Sequence, residues 1–229
     1  MNAAAEQSPD LFALGRAAQA ATGSRGLFGC WRRLLSTGWQ GPASAVSAFA
    51  EESDLAILGG LAAVAGAGAN TLVATSIPTL IEATRLGLRG LLRLAVIGGE
   101  SVEQQERRLA ELEERVRSGL LVDGVVPTPE DDCLGLATLM FFARCRLALP
   151  KVPHVLVDLD LLGPKLGQLA LAFGADELCG PIVAERALRL GDNAGSRAIT
   201  RGEAAQLLRG AGLRACERVA GGALKEFAS

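Results

Sequence analysis

The 229-residue sequence predicts an α/β fold, with parallel strands and helices packed outside them. Two observations carry that prediction. Short apolar runs alternate with stretches of helical length, and a parallel sheet with crossover helices buries runs spaced in this way. The 28 glycines are scattered between those runs, where they punctuate strand-to-helix turns instead of forming a linker. Although 49% of the residues are hydrophobic, only seven Phe and two Trp supply rings, so Leu, Ala and Val must build the core.

Taken in order, residues 3–22 predict a helix, with Leu11, Leu14 and Ala18 at helical spacing behind a Ser8-Pro9-Asp10 start signal. Residues 23–42 read as irregular and hold Trp31, Trp39 and the Arg32-Arg33 pair. From there the pattern turns βα. Leu55–Leu58 is a short apolar run before Gly59-Gly60, and Asn70–Thr75 is a strand followed by a helix over 78–86. Residues 91–97 form a buried strand stopping at Gly98-Gly99. Residues 101–117 form a charged helix whose Val102, Leu109, Leu112 and Val116 make one apolar stripe. Leu120–Val126 reads as a strand halted by Pro127 and Pro129, and residues 130–148 as an apolar helix. A strand over 155–162, a helix over 165–173 and a short strand over 177–182 follow. Helices over 183–190 and 202–211 end the series, the second opened by Thr200 with Glu203 at capping-box spacing.

Composition excludes several classes. A net charge of −2 and a pI near 5.6 lack the basic footprint of a nucleic-acid binder. The uncharged stretch Leu55–Ile81 invites a membrane reading, but its polar residues, proline and glycines fit a buried strand and turn, so no membrane partner is expected. The start, MNAAAEQSPDLFALG, lacks a signal-peptide pattern. Five Cys stand far apart with no CxxC, which predicts reduced, buried thiols in a cytoplasmic protein.

Candidate chemistry is sparse. His154 is the single histidine, which excludes a two-histidine metal site; it is either a catalytic group or a structural hydrogen-bonder at a strand start. No metal site is predicted. Gly66-Ala67-Gly68-Ala69-Asn70 resembles a phosphate loop but matches neither established glycine pattern, and a turn explains it as well. Glu100 follows a strand's C-terminal end, as a barrel carboxylate or as a helix N-terminal charge. Asp176 and Glu177 are adjacent and must face opposite ways. Asp158 and Asp160, two apart on a strand, would share a face. Residue patterns alone reach only an α/β domain.

One stretch carries more. LPKVPHVLVDLDLLGPKLGQLALAFGADELCGPIVAERAL resembles the C-terminal signature of a radical S-adenosylmethionine group. That group includes dehypoxanthine futalosine cyclase and aminofutalosine synthase, of the futalosine route to menaquinone, and a related deazaflavin-forming enzyme. The matching residues are Pro153-His154-Val155, Gly163-Pro164-Lys165, Gln168, Gly174-Ala175-Asp176-Glu177, Gly180 and Glu185. Ala211-Gly212 through Arg218 resembles the group's closing A-G-R-x-P-x-x-R. Upstream, IGGESVEQQERRLAEL and TPEDDCLGLATLMFFARCRLAL resemble two further stretches, placing Glu100 and Arg144 at the group's Glu and Arg. The likeness runs over about residues 82–218. It implies a TIM-type (β/α) barrel, truncated or incomplete, over 51–229, with an N-terminal helix and irregular aromatic segment over 1–50.

The group's CxxxCxxC, which wraps an iron–sulfur cluster, is absent, and the front of the barrel is short. Glu177 and Pro181 also replace the Asp and Thr that the group has there. The resemblance therefore implies a clusterless pseudoenzyme, accessory or non-catalytic, with neither cluster nor S-adenosylmethionine as cofactor. A small-molecule ligand is expected at the C-terminal strand ends, with Glu100, Arg144, His154, Asp158, Gln168 and Asp176 as candidate binding residues. The alternatives are an enzyme of iron-independent chemistry using strand-end carboxylates, and a carrier or sensor. An incomplete barrel leaves open sheet edges. Phe28, Trp31, Trp39 and Phe49 could cover them, so a homodimer, or a heterodimer with an intact family member, is expected.

Overall fold

The structure, a computed structural model, describes residues 10–33, 46–130, 133, 135–183, 199–219 and 223–227. Helix α1 (Leu11–Ala21) starts at Asp10, whose carboxylate accepts the Phe12 N–H at 3.0 Å. Residues 3–9 of the expected helix, most of the expected helix over 183–190, and Trp39 lie outside the described residues.

One large sheet organises the chain. Its strands are β1 (Arg25–Phe28), β2 (Cys30–Arg33), β3 (Val46–Glu51), β4 (Thr71–Ala74), β5 (Arg89–Val96), β6 (Gly124–Pro129), β7 (His154–Asp158), β8 (Glu177–Cys179), β11 (Arg214–Arg218) and β12 (Leu224–Glu226). The order is β12-β11-β1-β8-β7-β6-β5-β4-β3-β2, parallel throughout except for β11 with β12. A separate parallel pair joins β9 (Ile182–Val183) to β10 (Ile199–Thr200).

The order also shows how the sheet curls. β1 lies beside β8, β2 lies beside β3, and only Gly29 separates β1 from β2. One continuous stretch of chain thus pairs with both flanks of the sheet, with β8 through its first half and with β3 through its second. Side chains meeting across the bore of the curled sheet agree: Arg89 on β5 reaches Glu177 on β8, although β6 and β7 lie between them. The expected α/β, incomplete TIM-type barrel with outer helices is what the chain adopts.

Alternation along the strands sorts the core into two parts. Val73, Leu91, Val126, Leu156 and Cys179 fill the bore, with Phe49 against them. The other faces, such as Leu72, Leu92, Val125, Val157 and Leu178, pack under the helices. These helices are α2 (Leu55–Leu58), α3 (Leu61–Gly66), α4 (Ile77–Arg85), α5 (Val102–Arg117), α6 (Leu136–Ala148), α7 (Leu159–Ala172) and α8 (Arg201–Gly210). Gly124 is required by the inner layer, because a Cβ there would stand 2.4 Å from Leu156 Cδ1 and 3.1 Å from Leu91 Cδ2.

Several local expectations are corrected. Residues 25–33, read as irregular, form β1 and β2, and their pairing with β8, β11 and β3 overrides a weak local pattern. Leu55–Leu58 and Leu61–Gly66 are short helices, not strand; no helix among the described residues is long and apolar enough to cross a membrane. Pro127 and Pro129 lie inside β6, whose pairing with β7 runs only through Gly124 and Val125. Beyond that point the strand is paired with β5 alone, and such half-edges tolerate proline. The strand expected over 155–162 ends at Asp158, and α7 begins at Leu159 and kinks at Gly163, whose φ of 69° favours glycine. β11 and β12 had no local signal.

Candidate functional site

The C-terminal ends of the strands, where barrel enzymes place their sites, hold a charged cluster in the bore. Arg93 follows Arg89 and Leu91 on the inward face of β5. Its Nη2 lies 2.9 Å from Glu51 Oε1, at the end of β3, and 3.8 Å from Asp158 Oδ2, at the end of β7. All three are about one-fifth exposed. Asp158 also opens α7, accepting the Asp160 N–H at 3.0 Å. Burial pushes the Asp158 carboxyl above the usual carboxylate range; Arg93 opposes that rise and the Asp160 charge adds to it. Asp160 is therefore a helix residue, and the shared strand face expected for the pair does not exist.

Beside the mouth, Glu52 fastens the start of α4. Its carboxylate accepts the Thr75 N–H (2.6 Å), the Ser76 N–H (2.9 Å) and the hydroxyls of Thr75, Ser76 and Thr79. Burial alone would raise its pKa, but these donors hold it down at about 2. The carboxylate meets the positive end of a helix dipole and fills that anion position itself.

The floor of the bore is built oppositely. Glu177 is fully buried and takes two bidentate guanidiniums: Arg89 at 3.0 and 2.7 Å, and Arg218 of β11 at 3.1 Å to each oxygen. Burial works against its charge, yet the two arginines bring its pKa down to about 2.

The six sequence-selected residues do not converge. Asp158 alone stands in the upper cluster. Glu100, on the loop after β5, accepts from Arg108 of α5 at 2.8 Å, an arginine that also donates to the Ala95 carbonyl. Arg144 lies between outer helices, donating to Gln105 Oε1 at 2.6 Å. Gln168 is on the exposed face of α7. His154 and Asp176 do meet, with Nδ1 2.8 Å from Oδ2, but at the N-terminal strand ends. There Asp176 also accepts from Arg146 at 2.6 Å and from the Val155 N–H. The expected grouping of Asp176 with Glu100 and Asp158 at the C-terminal ends is thereby corrected, since Asp176 precedes β8 instead of following it. Asp176 and Glu177 face opposite ways, as adjacency requires.

Sequence reasoning missed Glu51, Arg89, Arg93 and Arg218. A signal existed for three of them: Arg89 and Arg93 share the inward parity of an otherwise apolar strand, RGLLRLAV, and Arg218 ends the stretch that resembles the group's closing motif.

Comparison with known proteins gives limited relatives. No family model matches the chain. It is 38% identical over 85 residues to aminodeoxyfutalosine synthase of Streptomyces coelicolor. The alignment spans 37% of this chain and 22% of that protein's length. Among solved structures, alanine racemase from Corynebacterium glutamicum superposes with a TM-score of 0.31 at 12% identity, over 74% of this chain and 58% of the racemase, a likeness too low to support an argument. What the chain shares with a known enzyme is thus one stretch similar to aminodeoxyfutalosine synthase.

Proposed function

We propose that this chain is a cluster-free relative of the aminodeoxyfutalosine synthase type of enzyme, an accessory, non-catalytic protein that binds a small molecule at the C-terminal strand ends. The observation that carries this reading is the disposition of the thiols. A radical S-adenosylmethionine cluster needs thiolates converging from one loop. The four thiols whose side chains are described do not converge: Cys133 precedes α6, Cys145 lies within α6, Cys179 lies in the bore and Cys216 on β11, all buried. Cys179 donates its S–H to the Val157 carbonyl at 3.1 Å. Burial pushes the Cys145 and Cys179 thiols upward, away from the thiolate a metal requires. Among the described residues no cluster of His, Cys, Asp or Glu could hold a metal ion. These residues do not fit an iron–sulfur cluster.

Anaerobic reconstitution with iron and sulfide tests the proposal. It predicts no stable cluster absorbance and no reductive cleavage of S-adenosylmethionine; a stable cluster that cleaves it would overturn the reading. A second reading, an iron-independent enzyme, is favoured by Asp158 alone. A carboxyl raised by burial beside a carboxylate and an arginine suits a general acid. Turnover by the wild type that Asp158→Asn abolishes, with folding intact, would establish it.

Self-association, or pairing with an intact relative, stays a proposal; its support is the exposed three-residue edge strand β12. Sedimentation at micromolar concentration tests it, and a strictly monomeric species would contradict it.

A further inference from the structure

Below the floor of the bore, on the N-terminal face, lies a cavity of 690 Å³. It is at the opposite end from the strand ends discussed above and independent of them. Arg89 and Arg218 both line it, and their common partner Glu177 is fully buried behind them. Both Glu177 oxygens already accept from both arginines, so the carboxylate is saturated. No other carboxylate pairs with either arginine among the described residues. Among the described residues, two guanidiniums against one carboxylate leave one positive charge uncompensated, on side chains only 13% and 11% exposed. A cation held that far from water calls for a counter-charge.

The remaining charges lining the cavity do not supply it. Asp123, the one carboxylate among the lining residues, forms no ion pair with Arg89 or Arg218, and its Oδ2 is already engaged by the Gly90 N–H at 2.9 Å. The volume falls within the range of about 300–1,000 Å³ usual for small-molecule sites. Leu120, Leu121 and Val122 make one wall apolar. Guanidiniums offer paired N–H donors that match a carboxylate or a phosphate.

We propose that the N-terminal face of this barrel, below its floor, binds a small amphiphilic organic anion, its carboxylate or phosphate seated on Arg89 and Arg218 and its apolar body against Leu120–Val122. The residual positive charge selects the anion, and the leucine wall selects an organic ligand over a bare ion.

Calorimetric titration of the full chain at constant ionic strength, with benzoate, phenyl phosphate, inorganic phosphate and the neutral benzamide, tests this. Saturable binding of benzoate or phenyl phosphate is expected, tighter than that of inorganic phosphate, with no binding of benzamide. Arg218→Gln should weaken the organic anion about tenfold or more, the loss of one buried charge-assisted contact. Leu121 is 70% exposed, so Leu121→Asp leaves folding intact and should also weaken the anion by repulsion. Absence of saturable binding by either organic anion would overturn the proposal. So would equal binding of benzamide, or inorganic phosphate matching phenyl phosphate. An affinity unmoved by Leu121→Asp, whatever Arg218→Gln does to stability, would overturn it too.

Discussion

The two ends of the bore carry the same kind of charge triplet with the signs exchanged. At the floor, one carboxylate (Glu177) sits between two arginines; at the mouth, one arginine (Arg93) sits between two carboxylates, Glu51 and Asp158. Geometry amplifies the difference. The floor is made of two bidentate contacts around a fully buried acid, whereas the mouth shares one guanidinium nitrogen at 2.9 and 3.8 Å in a partly wet setting. Glu177 is accordingly held down at about 2, while the Asp158 carboxyl is pushed up. Bidentate pairing in a dry place locks an acid in its charged form; a thinly shared cation does not overcome burial. The floor is a lock, and the mouth is the end where protonation can change.

Breaking the lock should have the largest effect. Glu177→Gln leaves two buried guanidiniums without a counter-charge and should lower unfolding stability by about 3–5 kcal/mol at pH 7 in chemical denaturation. Gly124→Ala comes next, because its methyl enters the layer held by Leu156 and Leu91. Overpacking of that kind costs about 1–3 kcal/mol, read as a lower denaturation midpoint with an unchanged slope. Arg218→Gln removes the surplus cation and leaves Glu177 paired one-to-one with Arg89, so it should destabilise clearly less than Glu177→Gln. Equal losses would show that the floor carries no excess charge. Smallest is Asp158→Asn at the mouth. Asparagine keeps the acceptor for the Asp160 N–H and removes a charge that burial disfavours, so stability at neutral pH should hold or rise slightly.

The outer layers were more legible in the sequence than the bore. The α5 stripe of Leu109 and Leu112, the Thr200–Glu203 capping box and the apolar face of β5 all follow from period and local chemistry. β1, β2 and β11 did not, because their stability comes from neighbours distant in sequence: β1 lies between β8 and β11. The same reason hid the charge triplets. Arg89, Glu177 and Arg218 come from three separate strands, and nothing local to any one of them names its partners. The His154–Asp176 contact was available only as two residues of one motif, without the knowledge that they meet at the N-terminal end and with Arg146.

The most direct test of the two-ended bore is the pH dependence of unfolding stability for wild type, Glu177→Gln and Asp158→Asn. Glu177 has a depressed folded pKa, so its contribution is full above the ordinary carboxylate range and is lost as pH falls toward about 2. Asp158 has a raised one, so its contribution is full below the ordinary carboxylate range and is lost as pH rises through the folded value. The predicted result is a large Glu177→Gln penalty at neutral pH that shrinks in acid, beside an Asp158→Asn variant that matches or exceeds wild type at neutral pH and loses that advantage in acid. Two variants with equal penalties and parallel pH profiles would contradict the account.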